Sequence, residues 1–329
     1  MNSLNKNSVI LDLPSIAQVL AQDDGVLVLQ THTAFDPAIF NPDIETAQVQ
    51  TSTAAPQQNL PSYGGFNLGL HVGDNPEQVH QHRNQLLAAI NQYLTEQGKA
   101  PLQALYWLNQ VHGNTVIPVD VERPQMRARD ADAMVSKAVQ CGLAIMTADC
   151  VPIVLYQPST GQIAAIHAGW QGLANGVIAE TAKTFANRPT ELSPADTDTN
   201  TYTGTGNEIW AWIGACISPA NYEVGGEVVD KLMAGCAHRQ GLTAAETSSL
   251  RASICKAVYK AGHTAELADK YWLDLPKLAR LQLEAQGIRL KDDNDIPCSY
   301  GDPHYYSYRQ QTHERRPATG RMALVIVRL

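Results

Sequence analysis

Two apolar runs of strand length lie close together in the chain: GLAIM at 142–146 and VPIVLY at 151–156. Runs of this length and composition predict two strands. The short segment between them carries Asp149 and Cys150. A buried cysteine is ordinary in a protein core, whereas burying an unpaired carboxylate costs free energy. The sequence therefore indicates that Asp149 meets a partner, or has a task, at the point where these two strands join.

The rest of the chain alternates strands with helices. This order indicates α/β layers and a mixed sheet. Two polar segments, near 41–61 and 188–208, predict surface insertions in one domain that spans 1–329. Strands are predicted at 25–33, 104–120 (two strands around a turn), 209–218 and 320–329, a strand followed by a helix at 161–187, and helices at 76–98, 223–237 and 273–287.

Composition narrows the classes of function. The chain has 24 Lys and Arg against 32 Asp and Glu, a formal net charge of −8, and no basic run, so no nucleic-acid partner is expected. Its six cysteines form no CxxC pair, which is typical of free thiols in a reducing compartment. With neither a secretory leader nor a run long enough to span a bilayer, we expect a cytoplasmic protein without a membrane partner. The oligomeric state stays open.

Three potential metal ligands share one sequence context. His112 in NQVHGN, Cys150 in TADCVP and His167 in AAIHAGW each lie at or near the end of an apolar strand, beside a turn. Strand ends on one edge of a sheet can meet in space. A His/His/Cys set suits zinc and leaves one position for water or substrate. In that setting Asp149 would support a ligand or accept a proton.

A longer series of motifs resembles a known family. NLGLHVGD, NQVHGN, DADAMVS, TADCVPIVLY, AAIHAGWQGLANGVI, IGACISPANYEVGGEV, DLPKLARLQL, CSY and YYSYR…TGRMA occur in the order seen in the YfiH-like family, also called the laccase-domain or polyphenol oxidase family. The resemblance implies a layered α/β/β/α sandwich with mixed sheets. It also implies zinc held by His112, Cys150 and His167. The implied activity is phosphorolysis of purine nucleosides (adenosine, inosine, methylthioadenosine), with adenosine deamination.

The resemblance also implies roles for residues outside the ligand set. Asn67, His71 and Arg83 match polar positions of the family's pocket. We expect His71, Arg83 and Asp149 to be catalytic, and Asn67, Arg83 and Arg309 to bind the substrates, which are a purine nucleoside and phosphate. Arg is suited to phosphate because its planar fork can bond two oxygens.

The chain departs from the family at two positions that could have supplied cations. Gln171 follows HAGW and Gln310 follows SYR, where many members have Arg, and the stretch 310–319 is longer than usual. Arg83 and Arg309 are therefore the better candidates for holding phosphate. His80 and His82 are expected on a solvent-facing side of their helix.

Three other functions remain open from the sequence. The first is a copper-binding polyphenol oxidase, since a His/His/Cys set can hold copper, although a multicopper centre needs several His-x-His pairs and this chain has one, at 80–82. The second is a cysteine hydrolase that uses Cys150 on amides or cell-wall fragments. The third is a module that binds a partner without turnover.

Overall fold

The computed structural model describes residues 13–23, 25–33, 63–119, 127–185, 207–259, 266–291 and 295–329. The predicted insertion at 41–61 lies outside these residues, as does the predicted insertion at 188–208 except for its last two positions. Within the described ranges no helix is both long and apolar enough to cross a membrane.

Fourteen strands in these ranges form three sheets. A five-stranded sheet has the order β1-β2-β14-β6-β3, a six-stranded sheet β13-β9-β7-β8-β5-β4, and a three-stranded sheet β10-β12-β11. The strands are β1 (Ala17–Asp23), β2 (Val26–Thr31), β3 (Ala104–Tyr106), β4 (Val116–Pro118), β5 (Ala133–Ser136), β6 (Cys141–Thr147), β7 (Val151–Gln157), β8 (Gln162–Ala168), β9 (Ile209–Ile213), β10 (Glu223–Gly225), β11 (Cys255–Tyr259), β12 (Glu266–Leu273), β13 (Ile288–Leu290) and β14 (Met322–Arg328).

Eight α-helices accompany the sheets in the described ranges. The longest begins where the sequence predicts it: Asn75 caps the first turn by accepting a hydrogen bond from the backbone N–H of Glu77, and Pro76 occupies the first helical position. The helices are α1 (Leu13–Ile16), α2 (Pro76–Glu96), α3 (Trp170–Ala174), α4 (Val177–Ala182), α5 (Gly226–Gln240), α6 (Ala244–Ile254), α7 (Leu275–Glu284) and α8 (Tyr308–His313).

The two larger sheets stack face to face, and helices cover their outer faces. The inner layer joins β2, β6 and β14 of one sheet to β5, β7 and β8 of the other through side chains such as Val28, Ile145 and Val154. α2 packs on the outside of the five-stranded sheet, while α3, α4, α5 and α7 pack on the outside of the six-stranded sheet. The predicted α/β/β/α sandwich with mixed sheets is confirmed.

The chain crosses from one large sheet to the other at the segment that separates the two apolar runs. β6 lies in the five-stranded sheet and β7 in the six-stranded sheet, so Ala148, Asp149 and Cys150 connect the layers. The loop from β3 to β4, which carries His112, makes the same crossing. Each predicted strand–turn–strand segment is thus a bridge between sheets.

Other boundaries differ from the sequence-based expectation. The predicted helix at 223–237 is divided, because Glu223–Gly225 pairs with β12 and the helix begins at Gly226. Strands β1, β5 and β11–β13 and helices α1, α6 and α8 were not predicted. Several of these elements mix polar with apolar residues, as in AQVLAQD of β1 and ELADKYWL of β12, so their hydrophobic periodicity is weak.

Candidate metal centre and its cavity

His112, Cys150 and His167 meet at one edge of the two stacked sheets. Their ligand atoms all lie within 4.8 Å of one another. Sγ of Cys150 is 4.0 Å from Nε2 of His112, and the two imidazole rings are edge to face with centroids 4.7 Å apart. Atoms bound tetrahedrally to one zinc lie about 3.5 Å apart. The donor set and its spacing therefore fit a single ion after small side-chain movements.

The register of β7 and β8 brings two of these ligands together. Val151 pairs with Ala168 and Pro152 with His167, so Cys150 lies beside the end of β8. Gly169 follows β8 directly, and its lack of a side chain makes room for Cys150 and His112. A Cβ on Gly169 would lie 3.0 Å from Sγ of Cys150 and 3.1 Å from Cδ2 of His112. Glycine at this position permits the close approach.

Asp132 holds the two histidines, His112 and His167, in place. Its side chain is fully buried. Oδ1 accepts hydrogen bonds from Nδ1 of His167 at 2.8 Å and from the backbone N–H of His112 at 2.9 Å. Oδ2 accepts a 2.6 Å bond from the N–H of Gly113. The bond to Nδ1 leaves Nε2 of His167 free to bind a metal ion.

Two residues of the site have a left-handed backbone. φ is 61° at His112 and 104° at Asp149. Such angles are unfavourable for residues with a Cβ and persist only where surrounding contacts impose them. At His112 those contacts are the hydrogen bonds that the backbone N–H groups of His112 and Gly113 donate to Asp132. Both strained positions lie on the segments that cross between the sheets.

The ligands influence one another's protonation in the metal-free protein. Burial raises the pKa of Cys150, but His167 and His112 outweigh it and bring the pKa to about 6. Burial lowers the pKa of His167, but Cys150 and Asp132 outweigh it and bring the pKa to about 9. At neutral pH this pair is a thiolate and an imidazolium. A thiolate is the form of cysteine that binds a metal.

Asp149 uses both of its carboxylate oxygens on neighbouring segments. Oδ1 accepts a 2.7 Å hydrogen bond from the hydroxyl of Ser299, and Oδ2 accepts a 2.6 Å bond from the backbone N–H of Arg309. The residue is 8% exposed and lines the cavity described below. The partners that the sequence required for Asp149 are thus the CSY segment and helix α8.

The three ligands open into a cavity of about 820 Å³. Its wall combines apolar and aromatic side chains with basic ones. Burial, reinforced by the charge of Cys150, raises the pKa of Tyr222 well above its usual range, so this phenol remains a hydrogen-bond donor at neutral pH. The apolar and aromatic residues are Trp170, Ile217, Tyr222, Val224, Val228, Leu275 and Tyr308, and the basic ones are His71, Lys270, Arg309, His313 and Arg321.

His71 and Arg83, both predicted to be catalytic, lie at different depths. His71 lines the cavity from a 3₁₀ turn at Leu70–Val72. Burial, Arg321 and Arg83 lower its pKa to about 4, so its ring is neutral at pH 7. Arg83 does not line the cavity. Its guanidinium donates to the carbonyl of Leu68 at 2.7 and 3.0 Å and lies 4.1 Å from the centre of the Trp107 ring.

Asn67, predicted to bind substrate, is fully buried and also lies behind the cavity wall. Its Oδ1 accepts hydrogen bonds from the backbone N–H groups of Gly69 and Arg321 at 2.9 and 2.8 Å. Arg321 does line the cavity. Sequence reasoning missed this arginine although it quoted the TGRMA segment, because that segment joins the site only through the pairing of β14 with β6.

Arg309, the third predicted substrate-binding residue, lines the cavity from α8. It donates from Nη1 to the carbonyl of Glu223 at 2.6 Å and lies 4.9 Å from the centre of the Tyr222 ring. Gln171 lines the same cavity, whereas Gln310 bonds to Glu314 on the outer side of α8. The expectation for His82 was wrong: it is 7% exposed and bonds to the carbonyl of Asn67.

These features together define a sandwich-fold protein in which a candidate three-ligand metal site lines a cavity. Residues 49–329 match the family model described as "Multi-copper polyphenol oxidoreductase laccase". The chain belongs to this family, and the resemblance drawn from its motifs is confirmed.

Relatives and solved structures agree with that membership. Purine nucleoside phosphorylase YfiH of Escherichia coli is 33% identical over 277 residues, covering 84% of this chain and 91% of the relative. A purine nucleoside phosphorylase of Pseudomonas aeruginosa is 31% identical over 265 residues, covering 80% and 86%. The crystal structure of a Neisseria meningitidis DUF152 protein is similar with a TM-score of 0.63 and 25% identity, covering 95% of this chain and 98% of that one.

Proposed function

We propose that this chain is a zinc-dependent purine nucleoside phosphorylase that acts on adenosine, inosine and methylthioadenosine, and that it also deaminates adenosine. The observation that carries the proposal is the His112/Cys150/His167 set at the floor of a cavity with arginines in its wall. A cavity of about 820 Å³ is of the size that small-molecule sites occupy. The names of the relatives from Escherichia coli and Pseudomonas aeruginosa support the same activity.

His112, Cys150 and His167 would hold the ion. Two imidazoles and one thiolate suit zinc, and Asp132 fixes the tautomer of His167 that this binding needs. When bound, zinc supplies Lewis acidity that can polarise a substrate oxygen or activate water for attack on C6 of adenosine.

The residues of the chain supply the rest of the phosphorolysis chemistry. A phosphate oxygen bonds to C1′ of the ribose as the bond from C1′ to N9 breaks, and the purine leaves with the bonding electron pair and takes up a proton. The cations of the wall would attract phosphate. Aromatic side chains of the wall, such as Tyr222 and Trp170, would hold the purine.

Two groups can move or hold protons in this cavity. His71 is neutral at pH 7, so its ring can donate one hydrogen bond and accept another. Asp149 would act as a proton acceptor in deamination, and we propose that it also positions α8 through the backbone of Arg309. Arg83 and Asn67 would act from behind the wall, Arg83 by holding the 67–71 segment and Asn67 by holding Arg321.

One alternative is favoured by a specific observation. Cys150 and His167 form a thiolate–imidazolium pair in the metal-free protein, as in cysteine hydrolases. The alternative of polyphenol oxidation is supported only through the description of the family model. In the described part of the chain one group of side chains has the spacing to hold an ion, whereas a multicopper centre needs several such groups.

The test is a screen of purine nucleosides with and without phosphate, in which base release and ammonia are followed separately. Phosphate-dependent base release by metal-loaded protein supports the proposal. Amide hydrolysis by metal-free protein, together with thiol labelling of Cys150 whether or not zinc is added, would favour the hydrolase, because zinc should shield a ligand thiolate. Oxygen consumption with a phenol substrate by copper-loaded protein would favour the oxidase.

A further inference from the structure

Arg321 is a cation without an anionic partner in the cavity wall. Its Nη1 donates to the backbone carbonyls of Gly320 and Thr319 at 2.9 and 3.4 Å. In the part of the chain that the structure describes, no carboxylate forms an ion pair with it. Cys150 and Asp149 attract it from farther away. A half-buried guanidinium without a close counter-charge is costly unless a ligand supplies that charge.

The two anionic groups near Arg321 are already engaged. Cys150 belongs to the metal-ligand set, where a bound cation would take up its charge. Asp149 accepts hydrogen bonds from Ser299 and from the backbone of Arg309. The wall beside Arg321 therefore keeps an excess of positive charge, and an anionic ligand would be attracted to it.

The position of Arg321 is fixed by two residues behind it. Its backbone N–H donates to Oδ1 of Asn67 at 2.8 Å. A Cβ on Gly69 would lie only 2.7 Å from Cγ of Arg321, so glycine allows the arginine stem to pack against the 67–69 segment. A preorganised cation loses less conformational freedom when it binds a ligand.

The other two arginines near the cavity are less available. The guanidinium of Arg83 is directed to the carbonyl of Leu68 and to the Trp107 ring, behind the wall. Arg309 donates to the carbonyl of Glu223 and lies over Tyr222. Glu223 also forms an ion pair with Lys270 at 3.3 Å, so a carboxylate already lies on that side of the cavity.

We infer that Arg321, with His71 beside it, forms the subsite that binds inorganic phosphate, and that Arg309 lies on the nucleoside side of the same cavity. This inference rests on the proposed phosphorylase function for its choice of anion. It assigns the two sides of the cavity: phosphate against Arg321 and His71, and the nucleoside against Tyr222, Val224 and Leu275.

The experiment is calorimetric titration of inorganic phosphate into the metal-loaded full chain. Arg321→Ala should weaken phosphate binding by about tenfold or more, because charge-assisted hydrogen bonds are lost. Arg321→Lys should fall between that variant and the parent, since the charge stays and the fork is lost. Arg309→Ala should lose less phosphate affinity than Arg321→Ala. The control is Arg239→Ala, which removes the same charge from the far end of α5, where Arg239 is paired only weakly with Glu180 at 3.9 Å.

Thermal melts establish whether each variant is folded. If Arg321→Ala is unfolded, Arg321→Lys alone is compared with the parent. Unchanged phosphate affinity in Arg321→Lys and Arg321→Ala, a larger loss in Arg309→Ala, or no phosphate binding by the parent would overturn the subsite. Phosphate binding that depends on Arg321 without any phosphorolysis would support the subsite and refute the proposed function. Phosphorolysis with an unchanged KM for phosphate in Arg321→Ala would support the proposed function and refute the subsite.

Discussion

Oδ1 of Asp132 lies 2.8 Å from Nδ1 of His167 and also accepts a hydrogen bond from the backbone N–H of His112, so one buried carboxylate orients two of the three candidate metal ligands. A hydrogen bond to the non-binding nitrogen fixes both the tautomer and the rotation of a ligating imidazole. The bond to the backbone of His112 also supports its left-handed conformation.

The first prediction concerns this carboxylate. Asp132→Asn should lower metal affinity by about 10- to 100-fold, the usual effect of losing such a partner. Competition with a chelating dye measures the affinity. Asp130→Asn is the matched control, because Asp130 is exposed and bonds to Asn109 instead. Equal affinity in the two variants would contradict the positioning role.

The second prediction concerns the thiolate ligand. Purified protein should hold about one zinc per chain, and Cys150→Ala should lose most of it because two histidines alone bind zinc weakly. Elemental analysis after dialysis gives the metal content. Cys255→Ala is the control, since Cys255 is a partly buried thiol outside the ligand group. Full zinc retention in Cys150→Ala would remove Cys150 from the ligand set.

The third prediction concerns pH. Metal-free protein between about pH 6 and 9 has a deprotonated Cys150 and a protonated His167. Binding must then release the proton of His167, so the apparent affinity should rise about tenfold per pH unit across this window. Below pH 6 the thiol proton of Cys150 is also displaced, so the logarithm of the apparent affinity should rise by nearly two per pH unit. Above pH 9 neither proton remains, so the apparent affinity should no longer depend on pH.

A pH-indicator dye in weak buffer measures the protons released when zinc is added. Asp132 is one cause of the raised pKa of His167. Asp132→Asn should therefore move the upper limit of the window to lower pH. Release of no proton by the parent at pH 7.5 would show that the metal-free pair is not a thiolate and an imidazolium.

The fourth prediction concerns Asp149, whose role can be catalytic or structural. If it accepts a proton in deamination, Asp149→Asn should reduce that rate by about 10²-fold or more while phosphorolysis falls less. Both rates must be measured on one preparation at equal zinc content. Ser299→Ala removes one contact of the same carboxylate and keeps its charge, so it is the matched control. Equal loss of both activities in Asp149→Asn would mean that Asp149 supports α8 and moves no proton.

The fifth prediction concerns Arg83, which lies behind the wall. Arg83→Ala removes two hydrogen bonds to the Leu68 carbonyl and the contact with Trp107. The fold should persist while the 3₁₀ turn that carries His71 loosens, so the KM for phosphate should rise. Steady-state kinetics with varied phosphate test this. An unchanged dependence on phosphate would show that Arg83 affects stability alone.

The sequence predicted that His112, Cys150 and His167 would meet because each follows or ends an apolar run, and the structure places them together. Such runs can be recognised without a structure. Cys150 and His167 come together through one strand pairing, which the short distance along the chain favours. The role of Asp132 was not readable, since it depends on a loop that turns back at His112 with a left-handed φ. Arg321 was missed for a related reason: β14 reaches the site by pairing with a strand 175 positions earlier, as in Met322 with Thr147.

The roles expected for Asn67 and Arg83 show a further limit. Both were placed near the pocket from their motif, and both lie directly behind its wall. A motif indicates which segments gather around a site. It does not tell whether a polar side chain faces the cavity or the backbone next to it, because that depends on side-chain rotation and on the packing of Gly69 and Trp107.

The two segments that cross between the sheets have a consequence for how the molecule opens. One crossing carries His112 and the other carries Cys150, while His167 belongs to β8. A bound ion would therefore link the two crossing segments, and its binding free energy would add to the free energy needed to separate the two sheets. Amide hydrogens of β6 and β7 next to the crossings should exchange more slowly with metal than without it, whereas those of the distant helix α6 should change little. Loss of the metal would therefore make the two sheets easier to separate at the end that carries the candidate metal site.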